Sequence, residues 1–324
     1  MIEKQTYSLS TGAWLMLLTL GLLWGGSFFF AGIAVKHVPP FTLAFLRFAL
    51  AALFLHVFIA GRFGFYAALR SRWRPFLVLG LVNNALPHSL IFLGQTEIGA
   101  GLASILNATT PIWTVMVAHL MTDDETLTGR KLAGAMIGLA GTVVLFAPQV
   151  SAAAPAPLWA MALPLVAALS YGFAAVWGRR FRDLAPPVTA AGQLTASTLI
   201  ILPVTLLHDM PWRLPAPPAA TLAAVLALAL LSTALAYIIF FRLIATAGAT
   251  NASLVTLLVP PSAILLSTVF LGERMGPEDG LGLLLILLGL AVLDGRIVAR
   301  IMRGRTNRRL IHSGTRGSGS DEKY

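Results

Sequence analysis

The chain has 324 residues, of which 57% are hydrophobic and 11% charged, with a formal net charge of +10 and a mean hydropathy of +0.81. An ordinary soluble domain carries about 25% charged residues, so so few charges could not cover a water-exposed surface, and a soluble enzyme is excluded. Unbroken apolar runs exclude a membrane β-barrel, whose strands alternate over about ten residues, and the absence of cysteine removes disulfides, thiolate metal sites and cysteine nucleophiles together.

What remains is an all-α membrane protein. About 20 apolar residues cross about 30 Å of hydrocarbon. In chain order, hydropathy predicts spans at 13–35, 40–60, 75–96, 99–120, 132–148, 158–178, 188–207, 219–244, 249–271 and 280–297. Prolines punctuate the joins, at Pro39–Pro40, Pro75, Pro148, Pro186–Pro187, Pro217–Pro218 and Pro277. The first span is too long for the apolar core of a cleaved leader, and no small-x-small cleavage site follows it. Residues 1–12 then form an N-terminal segment and 298–324 a basic tail; 13–148 and 158–297 hold five spans each, and 149–157 links them.

Charge sets the expected orientation. With the N-terminus inside, 18 of the 23 Lys and Arg fall on the cytoplasmic side and 3 outside, while Arg47 and Arg242 lie within spans. Cytoplasmic loops carry the excess of Lys and Arg, so both termini are expected in the cytoplasm, with the chain in a bacterial-type plasma (inner) membrane. From Arg296 onward the basic residues suit anionic lipid headgroups. Nucleic acid is not an expected partner, because no aromatic residue interleaves the tail before Tyr324 to stack on bases. The Gly/Ser-rich stretch 313–324 is expected to be disordered.

The second half echoes the first. A shift of 147 residues lays LWGGSFFF (23–30) on SYGFAAVW (170–177), so that Trp24 meets Tyr171 and Gly25 meets Gly172. The same shift puts Pro39–Pro40 on Pro186–Pro187 and Thr42 on Thr189. A shift of 149 aligns Ala103–Ser104 with Ala252–Ser253 and Pro111 with Pro260; a shift of 148 aligns Glu125 with Glu273 and Gly141 with Gly289. Each copy holds five spans, an odd number, so the copies are expected upside down relative to each other. Inverted repeats are a transporter signature, with the substrate site at their interface.

Polar groups at membrane depth mark a pathway or a helix contact. Asn83, Asn84 and His88 fall in the third span, with Asn84 and His88 four residues apart on one face and Gln95 further along. Ser104, Asn107, Thr110 and Thr114 follow at helical spacing in the fourth, where Pro111 is an expected helix break; Ser253, Thr256 and a second expected break at Pro260 lie in the ninth. A matched pair of interrupted spans points to a binding site. Trp24, Tyr171 and Tyr237 sit well inside their spans, away from interfacial aromatic belts. At about 1.5 Å per residue, Asn84 and His88 lie about 14 and 20 Å from the cytoplasmic end, overlapping in depth with Asn107 and Thr110. These residues are the candidate substrate site; interhelical hydrogen bonding and packing are the competing explanation.

None of the 13 acids falls at mid-span, which disfavours a proton-driven pump and leaves His88 as the titratable candidate at depth. No phosphate-cradling loop, metal cluster or cofactor motif is found, nor a Ser–His or paired-Asp constellation for an intramembrane enzyme. Nothing in the sequence requires an assembly larger than a monomer.

Five stretches in order carry a resemblance: WGGS in the first span, PPFTLAFLRF at the second, ASILNATTPIW, ASLVTLLVPPS, and GERMGPEDG after the latter. Together they resemble the drug/metabolite transporter superfamily, in its EamA-type ten-helix exporter branch. The resemblance covers about residues 13–297 and implies ten transmembrane helices as two inverted five-helix repeats around a central cavity. It implies export of small metabolites, amino acids foremost, by alternating access. Facilitative transport is the expectation, and a proton-coupled drug/metabolite antiporter the alternative. One departure stands out: TDDET in the first repeat lacks the glycine that precedes the acid of LGERM in the second.

Overall fold

A computed structural model describes residues 10–122, 128–151, 156–247 and 255–294. The acidic stretch at 123–125, Ser253 and the basic tail lie outside the described residues, as does the TDDET turn apart from its first threonine. Among the described residues there are helices and no strands. In chain order they are α1 (Thr11–Ala34), α2 (Pro40–Phe58), α3 (Trp73–Gly94), α4 (Ala100–Met121) and α5 (Gly129–Ser151). Then come α6 (Leu158–Phe181), α7 (Pro186–Asp209), α8 (Ala219–Phe240, helical onward to Ala247), α9 (Val255–Leu266, prolonged to Leu271) and α10 (Pro277–Asp294).

Seven of these, α1 to α4 and α6 to α8, are long and apolar enough to cross a membrane; α5 and α9 contain shorter apolar stretches, Leu132–Gly141 and Leu258–Leu271. Each predicted span falls on one of these helices. Large apolar side chains face outward along them, such as Leu15, Leu18 and Leu22 on α1 and Leu53 and Val57 on α2. In lipid this is the favourable arrangement, since the outward faces are apolar and the helix interior pairs its own backbone polar groups.

The packing repeats itself. The helix α1 lies against α9, and α6 lies against α4; α1 also meets α8, and α6 meets α3. The pair α3–α7 has its counterpart in α8–α2, while α2–α7 and α5–α10 join corresponding helices. Exchanging α1–α5 for α6–α10 therefore maps this set of contacts onto itself. Glycines make the closest ones. A Cβ on Gly25 would sit 2.5 Å from Ser262 Cβ, and one on Gly172 would sit 3.1 Å from the Trp113 backbone. Gly25 aligns with Gly172, and Trp113 with Ser262 at the shift of 149, so these are the same contact made twice. Likewise a Cβ on Gly141 would meet the Gly282 carbonyl at 2.8 Å, and one on Gly289 the Gly134 carbonyl at 2.6 Å. Small residues at such crossings let helices approach backbone to backbone.

Two carboxylates join the halves at helix ends. Glu273 accepts from the Ala100 and Gly101 amides (2.8 and 3.0 Å) at the start of α4. Asp209 accepts from the Thr42 amide and hydroxyl (2.6 and 2.8 Å) in the first turn of α2. Both satisfy amides that have no partner within their own helix and sit at its positive end.

Candidate functional site

A cavity of about 430 Å³ opens between the halves, within the roughly 300–1,000 Å³ of small-molecule sites. Two π-helical turns shape it, Leu81–Ala85 in α3 and Leu230–Leu235 in α8, at positions that correspond under the shift of 149. A π turn inserts one residue into the helical repeat, and such turns concentrate at functional sites. Here they bring Asn83 and Ser232 to the cavity wall, again at corresponding positions.

The turn also changes which asparagine faces inward. With an i→i+5 repeat, Asn83 rather than Asn84 shares the face of His88. Asn83 and His88 line the cavity, and Asn84 does not. Asn84 is buried among helices and its carbonyl lies 3.0 Å from His88 Nδ1. That carbonyl can only accept, so Nδ1 carries the proton. The Tyr171 hydroxyl lies 3.5 Å from both ring nitrogens, and Phe48 meets the ring edge-on at 5.4 Å. Asn83 Nδ2 donates to Gln193 Oε1 at 2.9 Å, and Gln193 also pairs with Tyr237.

The remaining candidates converge on the same space. Trp24, Tyr171 and Tyr237 form aromatic walls, with Trp24 packed on Phe240 at 5.2 Å. Asn107 and Thr110 line it as well. The helix α4 breaks at Ala108 and Thr109, between Asn107 and Thr110 and two residues before Pro111. Proline disfavours helical geometry in the residue before it and clashes with the carbonyl four residues back. Pro260 also lines the cavity, but α9 runs on through Pro260 and Pro261 as helix, so the interruption expected there is not a break in the helical run. A proline within a helix removes one hydrogen bond and bends the helix without ending it.

One residue that the sequence reading set aside with the charge count proves central. Arg47, eight residues into α2, is 5% exposed and lines the cavity. A guanidinium at membrane depth costs about 2.5–3.5 kcal/mol on insertion scales. Here Nη1 donates to Ser27 Oγ at 2.7 Å and the guanidinium lies 5.9 Å from the Phe92 ring centre. Its Nε has no partner, and no Asp or Glu lines the cavity among the described residues. Three further cavity groups keep open polar atoms: Gln95 Oε1, Asn107 Oδ1 and Ser232 Oγ. The signal for Arg47 was present in the sequence, a lone arginine mid-span; an ionisable residue in a membrane helix is a site candidate by default.

The comparisons agree with this architecture. The EamA-like transporter family matches the chain twice, over residues 11–147 and 158–293. A protein of Archaeoglobus fulgidus named "Uncharacterized transporter" is 24% identical, over 86% of this chain and 98% of its own. The Escherichia coli K12 protein named "Uncharacterized inner membrane transporter YedA" is 26% identical, over 86% of this chain and 89% of its own. A Streptantibioticus cattleyicolor protein named "Probable terminal-alkyne amino-acid exporter" is 26% identical, over 90% of this chain and 96% of its own. A solved crystal structure aligns with a TM-score of 0.63 at 24% identity, over 90% of this chain and 99% of that one, and shares the fold. The chain belongs to the EamA-like transporter family and is a multi-pass membrane transporter rather than an enzyme.

Proposed function

We propose that this transporter exports amino acids by alternating access, through the cavity between its two halves and down the substrate's own gradient. The observation that carries the reading is the cavity wall: corresponding positions of both halves meet there, with aromatic faces, amides, hydroxyls and one arginine and, among the described residues, no acid. Such a wall offers hydrogen bonds to both ends of an amino acid, and none of its described lining residues is a carboxylate that would hold the ammonium as an ion pair. The Streptantibioticus relative's name favours the same substrate class, and the YedA relative's name favours an inner-membrane location; the excess of Lys and Arg on one side favours cytoplasmic termini. The twofold family match and the self-mapping helix contacts support an arrangement of ten spans as two inverted repeats.

The test is counterflow of a panel of labelled amino acids in sealed liposomes. Saturable exchange of at least one of them is expected, and no exchange of any would overturn the reading. A second reading, proton-coupled antiport, is favoured by one observation, that His88 lines the cavity. An imposed pH gradient distinguishes the two. Facilitative transport equilibrates the solute, whereas accumulation above the external level would establish coupling and single out His88.

A further inference from the structure

We propose that Arg47 is the carboxylate anchor of the cavity, so that the substrate class is defined by a carboxylate and simple amines are excluded. The inference rests on the transport reading above and deepens it. Its ground is an imbalance of charge and of hydrogen bonds. Arg47 is 5% exposed, and its Nη1 donates to a neutral hydroxyl, that of Ser27. Its Nε remains a buried donor without an acceptor. Buried charges are paired as a rule, and none of the residues lining this cavity is Asp or Glu. Among the described residues, the arginine is therefore one half of a pair whose other half does not line the cavity.

The chemistry of the missing half follows from the donor. A guanidinium presents N–H groups in a planar fork that matches the two oxygens of a carboxylate. Ser27, one helix over, holds Nη1 and fixes the plane of that fork. The unpartnered acceptors in the same cavity, Gln95 Oε1 and Asn107 Oδ1, suit an ammonium, which has donors only. Gln95 is itself pinned, its Nε2 donating to the Phe28 carbonyl at 2.9 Å, so its oxygen is the free end. A zwitterion satisfies both sets; a carboxylate without an amine satisfies the arginine; an amine without a carboxylate leaves the guanidinium unpaired and adds a second cation beside it.

The duplication argues that this is recognition rather than scaffold. At the shift of 147 that aligns the two PP-x-T segments, the position matching Arg47 is Leu194, fully buried in the apolar core. The fold therefore accommodates an aliphatic side chain at this place, and the charge is peculiar to the half where it meets the cavity.

The test separates this inference from the transport reading. Thermal stabilisation of purified protein in detergent would be measured with L-phenylalanine, 3-phenylpropanoate, 2-phenylethylamine and sodium chloride as probes, alongside liposome flux of phenylalanine and the wider amino-acid panel. The two carboxylates should raise Tm of the wild type, and the amine and the salt should not. In Arg47→Gln the apparent affinity for 3-phenylpropanoate should fall roughly ten- to hundredfold, the range for hydrogen bonds to charged groups. Arg47→Lys, which keeps the charge and loses the fork, should recover part of it. Ser27→Ala, which keeps the arginine, should weaken the same ligands less and guards against a variant that fails to fold. Equal stabilisation by amine and carboxylate, unchanged carboxylate affinity in Arg47→Gln, or no stabilisation of the wild type by either carboxylate would overturn the anchor. Carboxylate binding that depends on Arg47 without any amino-acid flux would overturn the transport reading and leave the anchor standing.

Discussion

At corresponding positions the two halves share a backbone and differ in chemistry. Both carry a π turn at the cavity, but it presents Asn83 in α3 and Ser232 in α8. Five residues on, His88 corresponds to Tyr237, and both line the wall. Gly25 and Gly172 make the same close contact, yet Arg47 corresponds to Leu194. The difference teaches which features each task constrains. Helix crossing holds the backbone alike in both halves at the cavity, as in the Gly25 and Gly172 pair and the π turns at Leu81–Ala85 and Leu230–Leu235. Recognition acts on the lining alone, and there the cation is confined to one half.

The comparison can be broken most severely by moving the charge. Leu194→Arg places a guanidinium in packed apolar core with no cavity beside it. An uncompensated buried charge costs about 3–5 kcal/mol, so little monodisperse protein should survive size-exclusion chromatography; normal recovery would show that the two positions are less different than they look. The reverse change, Arg47→Leu, makes the halves alike. It should leave Tm equal or higher, because no buried partner is orphaned beyond Ser27, while amino-acid flux in liposomes falls by roughly a hundredfold.

The paired glycines sharpen the comparison through stability. Overpacking costs typically about 1–3 kcal/mol. Gly25→Ala, whose Cβ would press on Ser262 at 2.5 Å, should lower Tm more than Gly172→Ala, whose Cβ would stand 3.1 Å from the Trp113 backbone. Equal shifts in a thermal melt would contradict the geometry. Within one half, His88→Ala should slow flux about tenfold, whereas Asn84→Ala, away from the cavity, should act on Tm first.

The smallest effect is expected outside the membrane helices' core. Arg72 pairs with Asp183 between the start of α3 and the turn before α7, and this partner holds the Asp183 carboxyl below its ordinary range. A lowered carboxyl contributes stability above its unfolded pKa and loses it as pH falls through the folded one. The pair is solvent-exposed, so Arg72→Ala should leave Tm at neutral pH nearly unchanged. What little difference exists should vanish in acid, and a large loss at neutral pH would make the pair structural.

How much of this was legible beforehand depends on the physical signal. The helices were, because a lipid-facing helix needs a long apolar run and the chain has little else. The inward placement of Trp24, Tyr171 and Tyr237 was readable from depth. The choice between Asn83 and Asn84 was not, because periodicity counting assumes a uniform helix and the π turn at Leu81–Ala85 shifts the phase by one residue. Pro260 misled for a related reason: a proline weakens a helix locally, and packing decides whether it breaks. Arg47 was visible yet overlooked, since a charge count by side treats a mid-span arginine as a remainder.

The two carboxylates at helix ends have a mechanical consequence. Glu273 and Asp209 belong to the second half, and the amides they hold, at Ala100, Gly101 and Thr42, belong to the first. Each is a latch across the seam along which the halves would part under the proposed alternating access. Hydrogen bonds to a charged group are worth about 1.5–3 kcal/mol apiece, so releasing a latch in one step would be slow unless water replaces the amides as they leave. Under that mechanism the rate of opening would depend on how easily solvent reaches those two helix ends, a property of the rim, not of the substrate.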